Sequence, residues 1–174
     1  SKGDNDINYV NWIDWKLKDG DNSSTPNGPR YGKELFKWTK NLIQLRKKWN
    51  HFRRDDFAYY ADQAWDGAAN SGSNNDGKFS YSYENSDGDP TILAVVWWGK
   101  SGEPDIMVVY NENWENATVG VKNWSKGNWK VLARSWYGEG QDFGSIDNWQ
   151  SCPDAGDSIS VKARSIAILI SDNN

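Results

Sequence analysis

Tryptophan is the residue type in this chain whose chemistry stands out. The 174 residues include 12 Trp, together with 8 Tyr and 5 Phe. An indole ring offers a flat apolar face and one N–H donor, which suits the C–H face of a sugar ring and suits a hydrophobic core equally well. Where Asn, Asp or Glu flank an indole in the sequence, their side chains can hydrogen-bond to the hydroxyls of a bound sugar. Neighbouring rings on a strand point to opposite faces of the sheet. The candidate carbohydrate contacts are Trp65, Trp98, Trp114, Trp124, Trp136 and Trp149.

Other kinds of chemistry find little support in the composition. The net charge is −4 and the sequence pI is about 5.0, without a basic stripe for phosphate backbones, which argues against nucleic-acid binding. One cysteine, Cys152, excludes an internal disulfide, and one histidine, His51, leaves no His/Cys set for zinc. We therefore predict no metal ligands and no cofactor, although calcium, which takes backbone and carboxylate oxygens, stays open.

The sequence gives few indications of where the protein resides. No apolar run reaches the roughly 20 residues that a membrane span needs, and the first residues, SKGDNDINYV, lack a signal-peptide layout. We expect a bacterial source. The compartment is undetermined, and a secreted or cell-surface location is favoured over the cytoplasm.

One amphipathic helix is predicted near the start of the chain. Across residues 33–51, apolar side chains recur at spacings of three and four, and basic residues gather late, where they favour the negative end of the helix dipole. Residues 18–30 and 58–78, rich in Gly, Asn and Ser, are predicted loops. The helical stripe consists of Leu35, Trp38, Leu42, Leu45 and Trp49, widened by Phe36 and Ile43.

Strands dominate the rest of the chain, because the apolar period changes from 3.6 to 2 after residue 78. The predicted strands are 79–84, 91–98, 105–111, 117–122, 129–135, 158–161 and 165–170. Residues 92–98 and 106–110 are apolar on both faces, as expected for central strands between a second sheet and another layer. The predicted fold class is therefore mainly β, an antiparallel β-sandwich preceded by a loop and one amphipathic α-helix.

Several short stretches carry a resemblance to a known family. They are residues 4–8 (DNDIN) with 12–15 (WIDW), the helix core 42–46 (LIQLR) followed by Asn50 and His51, the strand end 108–111 (VVYN), and Arg164 with Ser165 before an apolar strand. These stretches resemble the end of the catalytic barrel and the C-terminal domain of the alpha-amylase superfamily (glycoside hydrolase family 13), in its isoamylase and glycogen-debranching members. Asp6 and Phe52 stand where that family commonly carries Glu and Pro.

The resemblance implies a division of the chain and a role for each part. Residues 1–54 would be the terminal loop and last helix of a truncated (β/α)8 barrel, and residues 55–174 a C-terminal β-sandwich domain. The family's three catalytic carboxylates lie upstream of the matching segment, so we assign no catalytic residue and expect no hydrolysis by this chain alone. In the parent enzyme, the loop with Asp4, Asn5, Asp6 and Asn8 would lie at the barrel face where active sites form.

Three functions are compatible with these observations. The favoured one is a noncatalytic C-terminal fragment of a starch- or glycogen-debranching glycoside hydrolase, an alpha-1,6-glucosidase of the isoamylase type, which stabilises the barrel and contacts carbohydrate. The alternative is an independent starch- or glycogen-binding β-sandwich module, and the third is a structural or adhesive sandwich. The expected partners are an alpha-glucan polysaccharide, the missing barrel, and a second copy of the chain bound through the exposed helix face.

Overall fold

A computed structural model describes residues 29–53, 79–86, 89–100, 102–121, 128–136 and 143–171. The chain divides into two compact units, Ser1–Ile43 and Gln44–Asn174. Among the described residues there is one α-helix, and the remaining regular structure consists of antiparallel strands. This arrangement confirms the predicted mainly-β fold class.

The helix, α1, spans Pro29–Lys48, so it begins four residues before the predicted start and ends three before the predicted end. Pro29 is tolerated at the first helical position because that residue's N–H would lack an intrahelical partner in any case. The last turn holds three basic residues, including Lys48, at the negative end of the dipole. Arg53 then folds back, and its Nε and Nη2 donate to the carbonyls of Arg46 (2.6 Å) and Lys47 (3.0 Å). These bonds satisfy carbonyls that the end of a helix leaves open.

The apolar side chains of α1 lie on two sides of the helix. Leu45 and Trp49 are buried, with 2% and 8% of their surface exposed. Phe36 and Ile43 are about half exposed, at 47% and 51%, and Leu35 is 64% exposed. At 3.6 residues per turn, Phe36 and Ile43 lie on the same side of the helix, opposite Leu45. Phe36 and Ile43 were predicted to widen one stripe, and they instead form a second apolar side.

The described strands form two antiparallel sheets. The strands are β1 (Phe79–Ser86), β2 (Asp89–Trp97), β3 (Asp105–Asn111), β4 (Ala117–Gly120), β5 (Lys130–Arg134), β6 (Ser158–Val161) and β7 (Ser165–Ser171). One sheet has five strands in the order β1-β2-β3-β7-β5, and the other pairs β4 with β6. The predicted limits of the third and sixth strands are confirmed, and the others shift by one to two residues at their ends.

The main core lies between the two sheets. Alternate residues of each strand point into it, because successive side chains on a strand face opposite sides. Met107 and Val109 of β3 and Leu169 of β7 are completely buried on the five-stranded side. Val119 of β4 and Val161 of β6 meet them from the two-stranded side with 1% and 0% exposure.

The outer face of the five-stranded sheet is covered as well. Ile106 and Ile170 point away from the main core and are fully buried. A 3-10 turn at Asn50–Phe52 contributes to this layer, since the ring of Phe52 lies edge-on to that of Trp97 with centroids 4.9 Å apart. At the edge of the sheet beside β5, the Gly144 N–H donates to the Leu132 carbonyl at 2.7 Å. Strand β3 is therefore buried on both faces, as its apolar sequence predicted, while the outward side chains of β2 are partly buried.

The connection between β2 and β3 is tightly packed. The buried carboxylate of Asp105 accepts the backbone N–H of Gly99 at 2.8 Å. A Cβ atom built on Gly99 would collide with the carbonyl oxygens of Glu103 and Pro104, so glycine is required by space at this position. Among the residues that the structure describes, no helix has both the length and the apolar character needed to cross a membrane.

Candidate functional site

Three of the predicted carbohydrate contacts are buried. Trp98, Trp136 and Trp149 have 2%, 8% and 6% of their surface exposed. Trp98 continues the inward alternation of β2 and joins the core between the sheets, together with Trp136. The polar neighbours of Trp136 and Trp149 in the sequence suggested exposed loops, but packing encloses both rings. A ring enclosed by protein offers no face to a sugar, so these three residues are corrected from candidate contacts to structural residues.

Trp114 differs from them, because it is 75% exposed. Its exposure agrees with the loop position predicted from the sequence, while its contact with sugar remains a prediction. The other candidates, Trp65 and Trp124, lie outside the described residues. The predicted substrate-cleft loop, with Asp4, Asn5, Asp6 and Asn8, lies outside them too.

Two neighbouring connections hold Trp114. The loop 112–116 leads from β3 in the large sheet to β4 in the small one. The turn 162–164 leads from β6 in the small sheet back to β7 in the large one. Since β3 pairs with β7 and β4 pairs with β6, both connections cross between the sheets at the same edge of the sandwich. We call these two connections, with Asn111 at their base, the Trp114 loop cluster.

Asn111 fastens the two connections together. It is only 2% exposed, and its Nδ2 lies within hydrogen-bonding distance of three carbonyl oxygens. These belong to Glu115 (2.8 Å) in the loop and to Val161 (3.1 Å) and Lys162 (3.0 Å) in the turn. Its Oδ1 accepts the backbone N–H of Asn113 at 3.0 Å. A buried polar side chain satisfied in this way fixes the backbone around it.

Further bonds join the upper parts of the cluster. The backbone N–H of Arg164 donates to the Asn113 carbonyl at 3.0 Å, and that of Ala163 donates to Asn116 Oδ1 at 3.2 Å. Asn113 Oδ1 accepts the N–H of Glu115 at a longer 3.4 Å. The loop and the turn are thus joined by several hydrogen bonds along their length, and these bonds fix the backbone on both sides of Trp114.

Arg164 lies over the indole of Trp114. Its guanidinium carbon is 3.0 Å from the ring centroid, a cation–π contact. Arg164 is also the one described non-glycine residue with a positive φ, 51°, in the left-handed region that side chains other than Asn and Asp rarely adopt. One face of the ring is covered by the guanidinium, and the high exposure of Trp114 leaves the opposite face to solvent.

The surroundings of Trp114 are polar and carry both charges. Glu112, Glu115, Asn116 and Lys162 are all exposed around it. Carboxylates and amides accept or donate hydrogen bonds to hydroxyl groups, and an open indole face accepts the C–H side of a pyranose. Among the described residues, no group of three or more His, Cys, Asp or Glu is placed to hold a metal ion. The chemistry that this cluster offers is therefore stacking and hydrogen bonding.

Tyr110 adjoins the cluster one residue before Asn111. It is partly buried in β3, opposite Leu93 of β2 and Ile166 of β7. Burial raises the pKa of the Tyr110 phenol above its ordinary value of 10.0, because the charged phenolate would lose solvation. Its hydroxyl therefore stays protonated through the neutral and mildly alkaline range.

The sequence places Asn111 at the end of an apolar strand and Arg164 in a pair before the last strand, but it does not predict that the two residues lie in one cluster. The bonds of Asn111 to residues 161 and 162 span 50 and 51 positions, so no local pattern could reveal them. An Asn at the end of an apolar strand is the available signal.

Comparisons with known proteins give distant structural similarity. No protein-family model matches the chain, and no curated protein matches it significantly. An alpha-amylase from H. orenii is 16% identical over 53% of this chain and 16% of that chain, with a TM-score of 0.33. A GH30 endoxylanase from Clostridium papyrosolvens is 11% identical over 53% of this chain and 23% of that chain, also at 0.33.

A third solved structure, a mutant isomaltulose synthase from Erwinia rhapontici in complex with D-glucose, is 12% identical over 87% of this chain and 19% of that chain, with a TM-score of 0.39. The chain thus spans 16% to 23% of the length of these structures. TM-scores below 0.5 do not establish a shared fold.

Proposed function

We propose that this chain is the noncatalytic C-terminal region of a glycoside hydrolase that acts on alpha-glucans, of the isoamylase or glycogen-debranching type. Its β-sandwich stabilises a catalytic barrel, and α1 is the last helix of that barrel. The sequence resemblance supports this choice of family. The single observation that carries the proposal is the way the end of α1 joins the sandwich.

The end of α1 and the sandwich are bonded within one compact unit. Lys48 Nζ lies 2.6 Å from Asp147 Oδ1 and donates to the Ile146 carbonyl at 3.1 Å. One turn later, Phe52 packs against Trp97 of β2. A helix fixed at its end to a sandwich can carry a barrel on its other side. The half-exposed Phe36 and Ile43 supply an apolar surface for such a layer, since a helix that is apolar on two sides is usually covered on both.

The decisive experiment is to sequence the gene upstream of the codon for Ser1 and to express the encoded parent. We expect a (β/α)8 barrel with three catalytic carboxylates, and we expect the parent to release reducing ends from amylopectin and glycogen. This chain alone should release none. A parent without the sandwich should unfold at a lower temperature than the intact one.

Two results would contradict the proposal. One is an upstream sequence that encodes no barrel, and the other is release of reducing ends by this chain itself. Loss of barrel stability should also follow from Lys48→Ala in the parent, because that change removes the ion pair with Asp147. Lys47→Ala serves as the matched control, since Lys47 is exposed in the same helical turn.

The exposed Trp114 favours a second candidate function, an independent starch- or glycogen-binding module. Both functions have the same expected ligand, an alpha-glucan, and they differ in whether a barrel precedes the chain. Binding of glycogen by this chain, together with an upstream sequence that encodes no barrel, would select the module.

A further inference from the structure

We propose that Trp114, with Arg164 behind it, is a stacking site for one glucose ring of an alpha-glucan chain. The class of ligand rests on the proposed function, whereas the place and the geometry rest on the Trp114 loop cluster alone.

The first step concerns exposure. Trp114 is the one described tryptophan that is largely exposed, with 75% of its surface accessible to solvent. Trp49, Trp98, Trp129, Trp136 and Trp149 are buried at 8% exposure or less. A fold that encloses so many indoles leaves this one in solvent on a loop that is bonded in place. Exposed rigid aromatics of this kind are typical binding residues, since loops carry function on a fixed scaffold.

The second step concerns preorganisation. Binding through a loose loop loses affinity, because the loop must be ordered at that moment. Here Asn111 already ties Glu115 to Val161 and Lys162, and Arg164 N–H already binds the Asn113 carbonyl. The loop is therefore already ordered in the folded protein before a ligand binds, and its backbone holds the indole in one orientation.

The third step concerns the two faces of the ring. The Arg164 guanidinium, 3.0 Å from the centroid, covers one face and leaves the other for a ligand. A guanidinium carries five N–H donors, and no ion pair or hydrogen bond of the Arg164 side chain is formed with other described residues. The guanidinium therefore supports the indole from behind and leaves the other face to the sugar. Glu112 and Glu115, both exposed, can accept from hydroxyls on the same side of the loop.

The fourth step concerns the charge of the ligand. Arg164 and Lys162 alone would suit an anion, but Glu112 and Glu115 flank the same indole and the chain carries a net charge of −4. A neutral polyol with an apolar face can stack on the ring and hydrogen-bond to groups of either charge without electrostatic repulsion. A neutral glucan therefore fits the cluster better than a sulfated or uronic polysaccharide.

The test is affinity electrophoresis of this chain in gels that contain glycogen, amylopectin or alginate. We expect retardation by glycogen and amylopectin and none by alginate. Trp114→Ala should weaken the apparent affinity at least tenfold, because it removes the stacking surface, and Trp114→Phe should weaken it less. Arg164→Asn, which suits the left-handed backbone at that position, should weaken it severalfold by removing the guanidinium.

Leu35→Ala is the matched control. It also removes a large exposed apolar side chain, at 64% exposure, but outside the cluster, so its retardation should equal that of the unchanged protein. Thermal unfolding of each variant confirms that it is folded. The inference is overturned if glycogen and amylopectin leave the unchanged protein unretarded, if Trp114→Ala is retarded equally, or if alginate alone retards it. None of these outcomes bears on the upstream barrel, so the proposed function is tested separately.

Discussion

At the scale of single residues, Asn111 is the side chain on which the candidate site depends most. Asn111→Ala would leave the carbonyls of Glu115, Val161 and Lys162 without their shared donor in a largely buried place. We expect a loss of about 2–4 kcal/mol in the free energy of unfolding, because an unsatisfied buried polar group costs roughly 1–3 kcal/mol. Urea unfolding followed by circular dichroism measures the loss.

The matched control for this change is Asn148→Ala. Asn148 is exposed, and its side chain does not cap the 3-10 turn that follows it. Its replacement should alter the free energy of unfolding by no more than about 0.5 kcal/mol, as for most surface changes. Equal losses in the two variants would mean that the Asn111 amide does not hold the loop and the turn together.

At the scale of elements, the β2–β3 connection gives a steric prediction. Gly99→Ala should destabilise the protein by about 1–3 kcal/mol, since the new methyl group meets the carbonyl oxygens of Glu103 and Pro104 in a buried turn. Gly120→Ala is the control, because a Cβ at Gly120 meets nothing within 4 Å. Thermal unfolding of both variants measures the contrast, and a Gly99 variant as stable as the Gly120 variant would refute the packing of this turn.

Strand β3 also gives a prediction about pH. The raised pKa of Tyr110 means that the unfolded chain ionises this phenol at lower pH than the folded protein does. The stabilising contribution of Tyr110 is thus fully present below about pH 10, the pKa of the phenol in the unfolded chain, and it is lost as the pH rises through the higher pKa of the folded protein. Tyr110→Phe should make the alkaline loss of stability shallower. The spectrophotometric titration of the folded protein should then lack one late-ionising tyrosine, and an unchanged titration curve would contradict this.

At the scale of the whole molecule, the second apolar side of α1 predicts self-association. Phe36 and Ile43 are about half exposed, and an apolar surface of this kind should pair with a second copy of the chain. Ile43→Gln should therefore lower the average mass towards the 19.8 kDa of one chain in sedimentation experiments. Thr39→Gln, at another exposed position of α1, should leave the mass unchanged. A single 19.8 kDa species for the unchanged protein at every concentration would contradict the prediction.

The sequence determined much of the architecture. The apolar run within residues 105–111 and the alternation of residues 158–161 predicted two strands with the limits that the structure shows, and the apolar faces of β3 predicted a strand covered on both sides. These features follow from local periodicity, since backbone geometry fixes where successive side chains point. The start of α1 was missed because Pro29 follows a run of Gly, Asn and Ser, and that composition outweighed the suitability of proline for a first helical turn.

Tertiary structure decided which aromatic residues face solvent and what surrounds them. Trp114 and Trp149 have similar polar neighbours in the sequence, yet one is 75% exposed and the other 6%. The difference arises because burial depends on which distant segments pack over a residue, and composition within a few positions carries no record of that. The Trp114 loop cluster illustrates the same point, since Arg164 reaches Trp114 only because β3 pairs with β7 and β4 with β6. Local periodicity fixes the strands, and long-range pairing alone fixes which loops meet.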